Sequence, residues 1–229
     1  MNSIGPRLLA AASMVERRSK IVDIGTDHAY LPSYLILKGM AEDVLACDIG
    51  EKPLMNARKT VKDNNLSQNI QLRLSDGLKN ILPSECDEII ICGMGGNLIS
   101  DILSDAPWIK KKGMHLILQP MTHSEDVRTY LYNNGFEISK EKYVCDNNKI
   151  YCCISAHFSE SSKIVEQGFL YYGKLPAENE FHYKYILRQY ERVLKKLNGL
   201  SLAGRDDEII AYLEYLKNYY ERRVTHENF

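Results

Sequence analysis

The sequence has no excess of charge of either sign, no Cys-x-x-Cys pair, and no apolar run long enough to span a bilayer. Each absence excludes something. A formal net charge of −1 removes any global electrostatic reason to expect nucleic acid, so such a partner would be held by a local basic patch. The six cysteines, Cys47, Cys86, Cys92, Cys145, Cys152 and Cys153, sit mostly in apolar stretches. They read as buried thiols in a reducing compartment, not as a metal site or a disulfide framework. The N-terminal stretch lacks a signal-peptide core and cleavage site, so a cytoplasmic protein without a membrane anchor is expected. With 229 residues and 45% hydrophobic content, there is material for one α/β domain and a smaller attachment.

One further shortage lies in the stretch around which the chain is organised. Ile21-Val-Asp-Ile-Gly-Thr-Asp-His-Ala-Tyr-Leu31 reads as strand, tight turn and helix start, with Gly25 at the break. A dinucleotide-binding turn wants three glycines, and here Asp27 and Ala29 occupy the second and third places. A carboxylate facing a pyrophosphate is repelled by it. A ligand with cationic groups near the turn fits better, which favours S-adenosylmethionine over a nicotinamide dinucleotide.

The β and α patterns then alternate. Gly5 to Val15 predicts a short helix with Pro6 in its first turn, and Arg7 there is either solvated or a ligand contact. Glu42 to Ile49 predicts a second strand ending in Asp48, which lies 25 residues beyond Asp23, near the distance expected of a ribose-binding carboxylate. Pro53 to Asn64 predicts a helix. Ile70 to Leu74 alternates as a strand before Ser75-Asp-Gly77, where Asp76 is either a turn residue or an acceptor for an adenine amine.

Glu88 to Cys92 is wholly apolar after its first residue, as a doubly covered parallel strand requires, and it runs into Gly93-Met-Gly-Gly96. Glycine offers a core nothing, so this run predicts close approach of backbone to a flat ligand, with Asn97 capping the next helix. His115 to Met121 predicts a strand ended by Gln119-Pro120, followed by a helix over Ser124 to Asn134. An antiparallel pair, Phe136 to Val144 and Lys149 to Phe158, closes the domain. A parallel sheet with a terminal hairpin is the architecture of class I methyltransferases. From about Gly168 tyrosines crowd and strand patterns stop. Glu180 to Leu197 carries Ile186, Tyr190, Val193, Leu194 and Leu197 on one stripe, and Asp206 to Arg223 carries Ile209, Leu213, Leu216 and Tyr220 on another. With Asn198-Gly199 and Ala203-Gly204 between them, these predict a coiled-coil-like helical hairpin. Lys184, Arg188, Arg192, Lys195 and Lys196 on its first helix suit RNA, or simply a solvated face, since the tail from Lys174 balances 10 basic against 9 acidic residues.

With Asp23-x-Gly25-Thr-Asp-His-Ala-Tyr-Leu-Pro32, Ala46-Cys-Asp-Ile49, Asp76-Gly-Leu78, Ile91-Cys-Gly-Met-Gly-Gly96 and Leu118-Gln-Pro-Met121 in view, the chain resembles the TrmK family along essentially its whole length. These are bacterial tRNA methyltransferases that modify N1 of adenine 22 using S-adenosylmethionine. The resemblance implies the target base and the tRNA. Residues and spacing alone support an adenosyl-binding, Rossmann-like α/β domain over 1–165 and a helical hairpin over 166–229. The candidate cofactor residues are Asp23, Gly25, Thr26, Asp27, His28, Asp48, Ile49, Asp76, Gly77, Gly93 and Met94. Gly95, Gly96, Gln119, Pro120 and Arg7 are candidates for the substrate, with Gly93 to Gly96 as a floor for the base and Gln119 reading its edge. Asp27 is the candidate catalytic carboxylate, or else a partner for the cofactor's amino group. Tyr30 reads as core in preference to a stacking partner. The Gln119-Pro120 loop departs from the Asn/Asp-Pro-Pro-aromatic motif of enzymes that methylate an exocyclic amine. No metal is expected, and the oligomeric state, a monomer in the simplest case, stays open. The rival readings are a small-molecule methyltransferase with a helical lid, and an adaptor with a degenerate Rossmann domain.

Overall fold

The computed structural model describes residues 4–16, 20–160, 165–175, 177–203 and 207–224. The chain divides into two compact units, Met1–Ser162 and Lys163–Phe229. In the first, α1 (Pro6–Ala12) precedes β1 (Ile21–Ile24), α2 (Tyr30–Leu37), β2 (Val44–Asp48), α3 (Glu51–Asp63) and β3 (Ile70–Leu74). Then come β4 (Glu88–Gly95), α4 (Gly96–Ser104), β5 (His115–Thr122), α5 (Ser124–Asn133), β6 (Phe136–Asp146) and β7 (Lys149–Phe158). The seven strands lie in the order β3-β2-β1-β4-β5-β7-β6. Strands β1 to β5 pair in parallel, and β7 is antiparallel to both β5 and β6.

The topology follows from burial. Ile21 to Ile24 of β1 and Glu88 to Ile91 of β4 are buried at every position, as strands covered on both faces must be. From β1 the chain steps outward to β2 and β3, then returns to β4 on the other flank. Right-handed crossovers in opposite directions put α2 and α4 on opposite faces and leave a crevice at the C-terminal ends of β1 and β4. On one face Ala10, Ala11 and Ala12 of α1 pack with Leu31, Leu35, Ile90 and Ile117. Small alanines let that short helix sit close to the sheet. All six cysteines are free thiols, and burial pushes those of Cys47, Cys86 and Cys153 up to about 12.

Two boundaries differ from the sequence expectation. β4 runs on through Gly95, and α4 starts at Gly96 with Gly95 as its extended N-cap, so Asn97 lies inside the first turn and does not cap it. β5 likewise continues past Gln119-Pro120 to Thr122. The ladder between them absorbs this by register shifts at Cys92/Met94 and Met94/Gly95, with Met94 opposite Pro120. Proline is tolerated there because a shifted ladder asks it for no N–H.

The second unit holds three described helices: α6 (Gln167–Tyr172), α7 (Glu180–Ala203) and α8 (Asp207–Val224). α6 was not expected. Tyr172 is fully buried and donates its hydroxyl to the Leu216 carbonyl at 3.1 Å. A Cβ on Gly168 would lie 2.3 Å from the Tyr219 ring, so only glycine admits that ring. α7 continues through Asn198-Gly199, both exposed, because buried Tyr185, Ile186, Gln189 and Val193 hold the helix and an exposed glycine only weakens it. Leu213, Leu216, Tyr219 and Tyr220 face the seam from α8, and Tyr190 stacks on Tyr220 at 4.1 Å. Ile209, expected on that stripe, is 46% exposed in the first turn of α8. Gly204 and Asp206, expected to flank the turn, lie outside the described residues.

Candidate active site

β1 ends at Ile24, and Gly25 turns the chain with φ 75°. The Gly25 and Thr26 amides both donate to the Cys47 carbonyl at 2.9 Å, which clips the turn to the end of β2. Asp27 and Ala29 then adopt φ 49° and 53°. The places where a dinucleotide loop carries glycine therefore keep the left-handed backbone that glycine would take, without glycine. Asp48 holds them there: its Oδ2 accepts from the Asp27 amide and its Oδ1 from the Gly50 amide, each at 3.0 Å. Both oxygens retain a lone pair for a ligand hydroxyl. The Asp27 carboxylate itself is 64% exposed, with His28 Nε2 3.6 Å away.

Asp23 is buried, and its carboxyl is pushed up from 3.8 to about 6. Burial is the largest cause; the neighbouring Thr26 hydroxyl pulls the other way, and the Asp48 charge adds to the rise. The Thr26 hydroxyl is buried, close enough to Asp23 to favour its charged form but in a hydrogen bond of normal geometry with none of the described residues. A buried, reluctant carboxylate with a poorly bonded hydroxyl beside it at one strand end forms a site that a cationic, polar ligand would stabilise. Ile49, just past β2, is 68% exposed. Asp76 is exposed and paired with Lys79 at 2.5 Å, and Gly77 has φ 55° with Ile102 of α4 close against it.

The glycine run divides into separate roles. Gly93 has φ 81°, is exposed, and would present a Cβ to open space. Met94 folds back so that its methyl group lies 2.2 Å from where a Cβ on Gly25 would be, joining the two turns. Gly95 stands beside the Thr122 hydroxyl. Gly96 is buried, and a Cβ there would lie 2.0 Å from the His123 carbonyl oxygen. That last glycine is demanded by α4 passing over the β5–α5 junction, so packing explains it and the expected four-residue floor shortens to its first part.

Gln119 and Pro120 are buried, Gln119 completely. The Gln119 amide is used internally, donating to the Pro120 carbonyl at 2.9 Å and accepting from Arg7 Nη1 at 3.4 Å. It offers no free edge to a base, contrary to expectation. Arg7 is not merely solvated either. Its Nε donates to Asp146 Oδ2 at 2.8 Å, its Nη1 reaches Met121 Sδ, and the guanidinium lies 5.1 Å over the Tyr151 ring. Asp146, Met121 and Tyr151 were missed from sequence because nothing local ties them to Arg7.

A separate cluster occupies the opposite end of the strands. His115 donates or accepts at both ring nitrogens, with Glu88 and Ser155 each 2.8 Å away, and stacks on His157 at 4.3 Å and 7°. Glu16, His115 and His157 bring ligand atoms within 4.8 Å of one another. Parallel stacked imidazoles do not aim their lone pairs at one point, so the group serves as a polar network that runs from buried His115 and Glu88 out to exposed Glu16.

The strand order, the switch-point crevice and the acids at the ends of β1 and β2 define a Rossmann-like class I methyltransferase. Residues 4–154 match the methyltransferase-domain family. The Bacillus subtilis tRNA (adenine(22)-N(1))-methyltransferase is 36% identical over 149 residues, which span 65% of this chain and 62% of that enzyme. The crystal structure of the B. subtilis m1A22 tRNA methyltransferase TrmK superposes with a TM-score of 0.84 and 28% identity, covering 96% of this chain and 97% of that one. A Mycoplasma genitalium protein described as "Putative tRNA methyltransferase" is 32% identical over 219 residues, 91% of this chain and 98% of its own. M. capricolum TrmK, solved with S-adenosyl-homocysteine, gives a TM-score of 0.79 at 26% identity and 96% coverage of both chains. The chain belongs to the TrmK family of methyltransferases. No helix among the described residues is long and apolar enough to cross a membrane.

Proposed function

We propose that the protein transfers a methyl group from S-adenosylmethionine to N1 of adenine 22 in tRNA. The observation that carries this reading is the pair of aspartates about the end of β1, Asp23 buried in the strand and reluctant to ionise, Asp27 exposed in the turn beyond it with His28 Nε2 3.6 Å away. Asp23, Gly25, Thr26, Asp48, Ile49, Asp76, Gly77, Gly93 and Met94 would hold the cofactor. When bound, it supplies an electrophilic methyl group. Asp23 and Asp48 favour its positive charges, and Asp48 can accept from ribose while still bracing the turn.

N1 of adenine carries an in-plane lone pair and needs no base to attack; the chain's task is placement. N1 lies on the Watson–Crick edge, so the base must leave its stack. The open side of Gly93 with Gly95 provides the surface for it, while Gly96, Gln119 and Pro120 support that surface from within. Methylation leaves the ring cationic until a proton departs, and the Asp27 carboxylate stabilises that charge. Arg7 acts at one remove, holding Gln119 and the β6–β7 turn. The unit over 166–229 holds the tRNA body, and the protein works as a cytoplasmic monomer without a metal.

The test is mass spectrometry of nucleosides from unmodified tRNA incubated with protein and cofactor. 1-Methyladenosine at position 22 is expected, reduced at least a hundredfold by Asp27→Asn, which keeps a left-handed-tolerant side chain. N6-methyladenosine as product, or an Asp27→Asn variant of full activity, would contradict the assignment.

A further inference from the structure

One exposed feature of the same turn takes no part in the chemistry above. His28 and Tyr30 lie with ring centroids 5.0 Å apart and planes 10° from parallel. The residue between them, Ala29, is fully buried and left-handed, with φ 53° and ψ 32°, and it caps α2. Alanine is unfavourable in that conformation, and here it throws the flanking rings outward side by side. Tyr30 is 45% exposed and the His28 side chain 39% exposed, so the expectation of a core tyrosine is overturned. Strained backbone that exposes an aromatic pair has no use in packing, and backbone strain collects at functional sites.

We propose that His28 and Tyr30 form a stacking platform for an RNA base flanking the target adenine, which rests on the RNA methyltransferase reading above. Extrusion of one base leaves its neighbours without a stacking partner on one side, and an exposed aromatic face beside the Asp27 carboxylate replaces it. Any base presents a π-face, so the platform adds affinity without reading sequence. His28 thereby serves the RNA and not the cofactor.

Fluorescence anisotropy of labelled tRNA with S-adenosyl-homocysteine present tests this apart from turnover. Tyr30→Ala should weaken tRNA binding about tenfold or more, the loss expected for one base–aromatic stack. His28→Ala should weaken it in the same direction, and Tyr30→Phe, which keeps the ring face, should restore binding to within about threefold. Calorimetry should find S-adenosylmethionine affinity within about twofold of wild type in all three. Unchanged tRNA affinity in Tyr30→Ala and His28→Ala, or a parallel loss of cofactor affinity, would overturn the platform. A wild-type protein that leaves tRNA unmethylated overturns the parent reading as well, whereas normal methylation with an indifferent Tyr30→Ala overturns this one alone.

Discussion

The turn after β1 and the glycine run that ends β4 and opens α4 meet at the same crevice, joined by Met94 over Gly25, yet they solve the same backbone problem differently. The first has one glycine and places Asp27 and Ala29 at positive φ, held there by the Asp48 carboxylate and the β2 carbonyl of Cys47. The second has three glycines, of which only Gly93 takes positive φ with open space beside it, while Gly96 is squeezed against the His123 carbonyl. Glycine content is therefore a poor guide to where a ligand lies. What separates the two turns is charge: one is braced by and presents carboxylates, the other is nearly bare backbone.

Substitutions can break that contrast. Gly96→Ala should have the largest effect, a loss of about 3 kcal/mol or more in urea unfolding, because the collision is with backbone that has no rotamer to yield. A mild effect would mean that the β5–α5 junction moves easily. Asp23→Asn should act in the opposite direction. A buried aspartate raised from 3.8 to about 6 binds its proton more tightly folded than unfolded. Stability therefore falls as pH rises from about 4 to about 6, by up to about 3 kcal/mol, and Asp23→Asn should abolish that fall. The same change should weaken S-adenosylmethionine binding at neutral pH, and wild-type affinity should tighten across that window as the carboxylate ionises. A flat wild-type pH profile by calorimetry would remove Asp23 from the cation site. Arg7→Ala should cost about 1–2 kcal/mol by leaving Asp146 and Gln119 short of a partner, with a raised KM for tRNA. Gly93→Ala, free of collision, should cost only about 1 kcal/mol of backbone strain, yet reduce turnover if the base lies there.

Much of this was legible because its causes are local. β3 and β7 have the expected bounds, Ile70–Leu74 and Lys149–Phe158, since alternation and the Asp146-Asn147-Asn148 turn declare themselves within a few residues. The acids at strand ends were legible from the spacing of repeated β–α units. The reach of β4 past Gly93 was not, because a register shift against β5 decides it. The same holds for Gln119: its burial depends on Arg7, which comes from a helix more than a hundred residues earlier and is anchored by Asp146 at the far end of the domain. Tyr30 shows the converse, where the local pattern suggested core and a left-handed Ala29 turned the ring outward. In the second unit α6 escaped notice because six residues are too few for helical periodicity to show.

The insertion of β7 between β5 and β6 also determines how the sheet ends. One margin is β3, five residues long, with Arg73 clamped by both carboxylate oxygens of Glu85. The other is β6, eleven residues long, interrupted by an irregularity at Ile138/Lys140 and carrying Glu137, Lys140, Glu141 and Lys142. A short margin and a bent, charged one are both poor templates for a second molecule's strand. Neither margin of the seven-stranded sheet is therefore an inviting template for edge-on growth into fibres.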